Sequence, residues 1–208
     1  MYEALPSQCR LAGVGVTGYG EGLLRKAFCL DTGEVETMAH LRAARLFCPE
    51  VTALLDIGGQ DMKYCRLKDG RIDHISLNGV CSSGCGSFLE SFADHLHMDI
   101  KEFARQAALA EKMPDLGRHC TVIMNSYVKK VQNRGVGLAD LAAALSVSVV
   151  KNALFSVIQL ESAEELGDHI VAEGGTFYND AVLRAFERLT GKEVIRPDIA
   201  GLMGAYGM

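Results

Sequence analysis

The chain has no apolar run of the ~18–20 residues that a membrane-spanning helix needs. Its longest apolar region, Leu138–Leu160, is interrupted by Asp140, Ser146, Ser148, Lys151 and Asn152, and reads as a buried amphipathic helix. Met1–Arg10 carries no signal-peptide pattern. No internal repeat, low-complexity tract or linker interrupts the sequence. A net charge of −5 leaves no broad basic footprint, which argues against a nucleic-acid partner. Seven cysteines are an odd number, and without a secretory pattern they suit a reducing, cytoplasmic setting where disulfides are not expected. The thiols are then buried groups, metal ligands or reactive groups.

The 208 residues suit one large domain or two small lobes, and 49% hydrophobic content is enough for a core. Leu11–Thr17 reads as a strand that ends in the turn Gly18-Tyr19-Gly20. Val35–Phe47 has helical spacing and stops before Pro49. Val51–Asp56, Met62–Leu67 and Ile72–Leu77 read as a β-meander, with Lys68-Asp69-Gly70-Arg71 an Asp-Gly hairpin turn. Four segments with three-to-four-residue apolar spacing follow: Ser87–Met98, Ile100–Lys112, Val122–Asn133 and Leu138–Leu160. His169–Ala172 returns to strand. A helix capped by Asn179 or Asp180 ends at Gly191, Val194–Ile195 is a short strand, and Ala200–Tyr206 is a final helix. This order indicates an α/β fold.

Two glycine turns stand out. Asp56-Ile57-Gly58-Gly59-Gln60-Asp61 joins two strands. Gly58 and Gly59 there would let backbone N–H groups approach an anion, with positive φ available. Asp56 and Asp61 suit Mg²⁺ or its waters, and Gln60 could orient an attacking water. The plain alternative is a polar hairpin turn. Glu173-Gly174-Gly175-Thr176 follows a strand and precedes a helix, a geometry that suits nucleotide contact or simply a tight turn. Asp31-Thr32-Gly33 runs straight into the helix at Val35 and reads as a helix-capping loop.

Cys81 precedes Gly84-Cys85-Gly86, where a helix begins, and Cys120 precedes the helix Val122–Asn133. A thiolate is favoured at a helix start by the dipole and by free N–H groups, which can also bond cluster sulfides. Two such cysteines are half the ligands of a 4Fe–4S cluster, and a symmetric dimer would supply four. Cys85, one helical turn on, could face the same way. A zinc site from Cys81, Cys85, His119 and Cys120 is a further option that lacks paired Cys-x-x-Cys spacing. Cys9, Cys29, Cys48 and Cys65, in or beside apolar segments, are expected to be buried thiols. His40, His74, His95, His97 and His169 are expected at surfaces or in local bonds.

Taken in order, these motifs resemble the BadF/BadG/BcrA/BcrD ATPase family, the activators of 2-hydroxyacyl-CoA dehydratases and ATPase subunits of benzoyl-CoA reductases. Thr17-Gly18-Tyr19-Gly20, Glu36 with His40, Asp56–Asp61, Cys81 with Gly84 and Gly86, Cys120-Thr121-Val122, Gly174-Gly175 with Asn179, and Gly201 to Tyr206 fall in the family's order. The resemblance implies an actin/Hsp70/sugar-kinase-like (ribonuclease H-like) ATPase fold and a homodimer. It implies one 4Fe–4S cluster held between subunits by Cys81 and Cys120 of each chain. ATP and Mg²⁺ would be held at Asp56, Gly58, Gly59, Gln60 and Asp61, with Gly174, Gly175 and Asn179 at the adenosine. ATP hydrolysis would drive a low-potential electron, drawn from reduced ferredoxin or flavodoxin, into a dehydratase or reductase partner. Cys85 departs from the short activators and is similar to activase-like domains of very long proteins.

The family opens on a strand–hairpin phosphate loop of the form Asp-x-Gly-Ser/Thr, and nothing like it precedes Leu11. The chain is therefore expected to be a fragment, with residues 1–50 the remainder of a first lobe and 51–208 the second lobe with the cluster loops. Two other functions compete with the activase: an actin-fold kinase for a small substrate, and a non-catalytic cluster-binding or docking domain of a larger assembly.

Overall fold

The computed structural model describes residues 6, 8–79, 85–119 and 121–208. The chain divides into two compact units, Met1–Ala43 with Met203–Met208, and Ala44–Leu202. The division falls ahead of the boundary expected after residue 50, and the last residues go with the first unit.

In the first unit, strand β1 (Gly15–Thr17) pairs in parallel with β2 (Thr32–Glu34), and helix α1 (Glu21–Phe28) connects them. Asp31 accepts the Val14 N–H on its Oδ2 at 2.7 Å, and the Thr17 hydroxyl donates to the Glu34 carbonyl at 2.9 Å. Thr32-Gly33-Glu34 is thus a strand and not the expected helix-capping loop. Its ladder partner is β1, which lies far back in sequence and leaves no local pattern. Helix α2 (Glu36–Phe47) begins in this unit, where Arg42 bridges Glu34 at 2.8 Å and the Gly207 carbonyl at 2.9 Å.

The second unit is built on a five-stranded sheet in the order β5-β4-β3-β6-β7. Strands β3 (Ala53–Ile57), β4 (Met62–Lys68) and β5 (Arg71–Leu77) form the antiparallel meander. Asp69 and Gly70 carry φ of 51° and 69°, the double positive φ that a two-residue type I′ hairpin requires. Strand β6 (Ile170–Glu173) runs parallel to β3, and β7 (Val194–Ile195) parallel to β6. All four residues of β6 are buried, and so are both faces of β3, so these strands show apolar runs rather than alternation.

Helices α3 (Gly86–His95), α4 (Ile100–Ala108), α5 (Thr121–Gln132), α6 (Leu138–Asn152) and α7 (Asp180–Thr190) supply the rest of the core. Phe92, Phe103, Leu141 and Phe186 are buried with Leu55 and Ile57 of β3 in one cluster. Full burial of a side chain of this size contributes roughly 1.5–3 kcal/mol. Asp99 caps α4 by accepting the Lys101 and Glu102 N–H groups at 2.8 and 2.9 Å. The α6 helix continues as a π turn, Ala153–Val157. Contrary to the sequence expectation, Leu138–Val157 is long and apolar enough by length and composition to cross a membrane, with mean hydropathy 1.5; 61% of it is buried, as in a core helix. A short helix, α8 (Met203–Tyr206), returns the chain to the first unit.

Cys48 and Cys65 are buried, as expected, whereas Cys9 and Cys29 are exposed. The apolar neighbours that suggested burial, Leu11 and Phe28, are themselves 52% and 69% exposed, so they form no shelter for the thiols.

Candidate functional site

Strands β3 and β6 lie side by side and parallel, with Asp56 opposite Glu173. The turns that follow them therefore open at the same edge of the sheet. In open α/β sheets this edge, beyond the carboxyl ends of parallel strands, is where ligands bind.

The turn after β3 is closed by the Gly58 N–H, which donates to the Asp61 carbonyl at 2.9 Å. Asn78 braces it: its side-chain oxygen accepts the Met62 N–H at 2.7 Å and its amide donates to the Gln60 carbonyl at 3.0 Å. Gly58 and Gly59 do not adopt the positive φ anticipated for them. A Cβ on Gly59 would meet nothing within 4 Å, so what glycine provides there is open backbone facing the site. Gln60 and Asp61 are exposed at the tip of the turn.

Gly174 is the constrained glycine. Its φ is 89°, and a Cβ there would collide with the Ile57 carbonyl and stand 2.5 Å from Asp56 Oδ1. The Asp56 carboxylate thus lies directly against the second turn. The Gly174 N–H donates to the Ala200 carbonyl at 2.8 Å.

Further bonds join the two turns. Thr176 Oγ1 donates to the Gly58 carbonyl at 2.9 Å. Gly86 and Ser87, the first residues of α3, donate their N–H groups to the carbonyls of Gly58 and Gly59 at 2.9 and 2.8 Å. These N–H groups were expected to be free for a thiolate or a cluster sulfide; the turn occupies them instead.

A cleft of about 320 Å³ lies alongside, bounded by Gly59, Gly86, Gly175 and Thr176, floored by Leu89 and Ile100, and rimmed by Glu90 and Lys101. Asn179 lines it as well. Its Oδ1 caps α7 by accepting the Ala181 N–H at 2.9 Å, while its buried Nδ2 has no hydrogen-bond partner among the described residues. An unmade bond on a buried amide costs about 1–3 kcal/mol, which a ligand acceptor in the cleft would relieve.

The structure therefore brings together Asp56, Gly58, Gly59, Gly174, Gly175 and Asn179. Sequence reasoning passed over Thr176 and Asn78, which hold the turns; a hydroxyl directly after Gly-Gly and an Asn at a strand end were the only signals. Glu36 and His40 lie 3.9 Å apart in the first unit, where Gly204 packs against the His40 ring. Cys81, Gly84 and Cys120 lie outside the described residues. Cys85 is buried at the N-cap of α3, within the core cluster, 3.7 Å from the Asn78 amide. It precedes the helix rather than lying one turn along it. The His119 ring stacks on Tyr127, with centroids 4.5 Å apart.

Residues 4–207 match the family described as BadF/BadG/BcrA/BcrD ATPase. The chain belongs to that family. Among its relatives is the 2-hydroxyisocaproyl-CoA dehydratase activator of Clostridioides difficile, 31% identical over 195 residues, 93% of this chain and 71% of that protein. The solved structure of the Clostridium difficile activator with bound ADPNP superposes with a TM-score of 0.83 at 29% identity, over 99% of this chain and 74% of that one. Component A of (R)-2-hydroxyglutaryl-CoA dehydratase from Acidaminococcus fermentans gives the same TM-score and identity over 95% of this chain and 74% of that one. The family's fold, the actin-like ATPase fold, is the fold of this chain.

Proposed function

We propose that this chain is an ATP-dependent activase that delivers a low-potential electron to a 2-hydroxyacyl-CoA dehydratase or benzoyl-CoA reductase type of partner. The observation that carries the nucleotide half is the meeting of the two glycine turns at the ends of β3 and β6, beside a cleft with an unpartnered Asn179 amide. Bare backbone at Gly58 and Gly59 accommodates phosphate oxygens. The Asp56 carboxylate suits Mg²⁺, held directly or through water. Gly175 and Asn179 face the nucleoside, and Leu89 and Ile100 give its base an apolar floor. Gln60, exposed at the turn, is the residue to orient water.

The electron half rests on the sequence and its family. Cys81 and Cys120 of two subunits would hold one 4Fe–4S cluster in a homodimer, and that cluster supplies one-electron chemistry when bound. Reduced ferredoxin or flavodoxin would be the donor. This chain's contribution is mechanical. The start of α3 is bonded to the carbonyls of Gly58 and Gly59, so a shift of the turn on nucleotide binding moves the helix start that follows Cys81 in the sequence. Two sites that bias one element are reciprocally coupled.

Equilibrium binding of Mg-ADPNP, and the iron content of anaerobically reconstituted protein, test the two halves separately. Saturable binding that Asp56→Asn makes independent of Mg²⁺, with about four irons per two chains, is the expected result. Absent nucleotide binding in folded protein overturns the first half, and colourless reconstituted protein overturns the second.

A further inference from the structure

A separate cleft of about 390 Å³ opens where β4 and β5 meet the segment that follows the π turn. Tyr64 and Arg66 of β4, His74 and Ser76 of β5, and Gln159 and Glu165 line it. None of these residues borders the nucleotide cleft.

Tyr64 is only 2% exposed, yet it lines this cleft, and its phenol has no hydrogen-bond partner among the described residues. Among the described residues the buried side-chain polar atoms without a partner are Glu173 Oε1 and Asn179 Nδ2, so the Tyr64 phenol oxygen reaches the cleft rather than being sealed in the core. Burial lifts its pKa to about 12, so the phenol stays protonated and can both donate and accept.

Arg66 and Glu165 flank the phenol with opposite charges. Both act electrostatically on Tyr64, and no ion pair joins them among the described residues. Arg66 commits Nε and Nη2 to Asp73 Oδ2, at 3.0 and 2.7 Å, which leaves Nη1. Glu165 commits Oε1 to the Glu161 and Ser162 N–H groups, each at 2.9 Å, which leaves Oε2. Gln159, just past the π turn, holds a φ of 58°. Both π turns and left-handed non-glycine residues gather at functional sites.

We propose that this cleft binds a small zwitterion of the α-amino acid class, its carboxylate at Arg66 and the Tyr64 phenol and its ammonium at Glu165 and the Gln159 side-chain carbonyl. A lone anion would face the Glu165 carboxylate, which keeps its negative charge through two backbone N–H bonds and the nearby Arg66. A lone cation would leave the Arg66 Nη1 and the phenol O–H without an acceptor. Only a ligand bearing both charges matches both walls. The site stands apart from the nucleotide cleft and does not depend on the activase reading.

The test uses the purified chain and the twenty common L-amino acids at millimolar concentration, followed by ligand-observed NMR and thermal unfolding. At least one is expected to bind saturably. Its N-acetyl and methyl-ester derivatives, each lacking one charge, should bind at least about tenfold more weakly. Tyr64→Phe, which removes one oxygen and keeps the ring, should weaken binding about tenfold and leave Mg-ADPNP affinity unchanged. Should that variant fail to fold, Arg66→Gln replaces it with the same expectation. No saturable binding by any amino acid, equal binding of the singly charged derivatives, or undiminished binding by the folded variants would overturn the proposal.

Discussion

The N–H of Gly86, first residue of α3, donates to the carbonyl of Gly58 in the turn after β3 at 2.9 Å. A Cβ on Gly86 would stand 2.7 Å from Thr176 Oγ1, which bonds the same carbonyl. Three segments distant in sequence therefore share one oxygen.

That crowding makes Gly86→Ala costly, by about 1–3 kcal/mol for an overpacked contact. Thr176→Ala should cost about 1 kcal/mol by itself through the lost hydrogen bond. In combination the two should cost less than their sum, because removing the hydroxyl makes room for the new methyl. Urea unfolding of the four proteins checks this, and strictly additive values would mean that the two residues do not share the site as described.

Gly174 and Gly59 should respond oppositely to alanine. Gly174→Ala meets the Ile57 carbonyl and Asp56 Oδ1 with φ at 89°, and should lower stability by more than about 2 kcal/mol or prevent folding. Gly59→Ala meets nothing within 4 Å and should change stability by under about 0.5 kcal/mol while weakening Mg-ADPNP several-fold. A stable Gly174→Ala protein would contradict the packing of the two turns.

Asn179 has two separable duties. Asn179→Asp keeps the oxygen that caps α7 and loses the buried amide donor, so melting should change little while nucleotide affinity drops about tenfold. Asn179→Ala loses both and should also lower stability by about 1 kcal/mol. Equal nucleotide affinity in Asn179→Asp and the parent would show that the amide has no ligand to meet.

Much of the second unit is legible because its signals are local. Asp69-Gly70 closes a two-residue hairpin, Asn179 and Gly191 delimit α7, and Phe103 with Ala107 marks the buried face of α4. The first unit is less so. Helix α1 carries an apolar stripe of Leu23, Leu24, Ala27 and Phe28 that the sequence reading passed over, yet buries none of its residues, and β2 is a strand because β1 lies beside it. The same distance rule governs the site. Gly58 and Gly174 identify themselves by type, but Thr176 acquires its role from a carbonyl 118 positions away. Cys85 misleads for a related reason: its spacing from Cys81 suggests a shared face, while the helix starts only after it and the core encloses it.

Cys65 sets an alkaline limit. Burial in the sheet pushes its thiol up to about 11 from an ordinary 9.0, with Glu173 and Asp56 adding to the rise and Lys63 opposing it. In the unfolded chain the thiol ionises first, so the folded state binds more protons between about pH 9 and 11. Its contribution is present in full below about pH 9 and is lost as pH rises towards 11, about 2–3 kcal/mol at most. Cys65→Ala should flatten the fall in urea-unfolding free energy across that window. An unchanged slope would mean that the thiol is not shielded from water.

Cys85 offers the sharpest discrimination among the thiols. Its side chain is fully buried, belongs to the core and lies beside the Asn78 amide. The proposed ligands are Cys81 and Cys120. Cys85→Ala should therefore retain the iron content and visible absorption of anaerobically reconstituted protein, with a stability loss of about 1 kcal/mol from the lost packing of one sulfur. Cys81→Ser and Cys120→Ser should each abolish the absorption while leaving the melting temperature of the iron-free protein near that of the parent. Bleaching by Cys85→Ala in folded protein, with colour kept in Cys81→Ser, would move the ligand to the buried position and require α3 to open at its first turn. That opening would break the bonds from Gly86 and Ser87 to the turn, so it would also show as a loss of Mg-ADPNP affinity on iron loading.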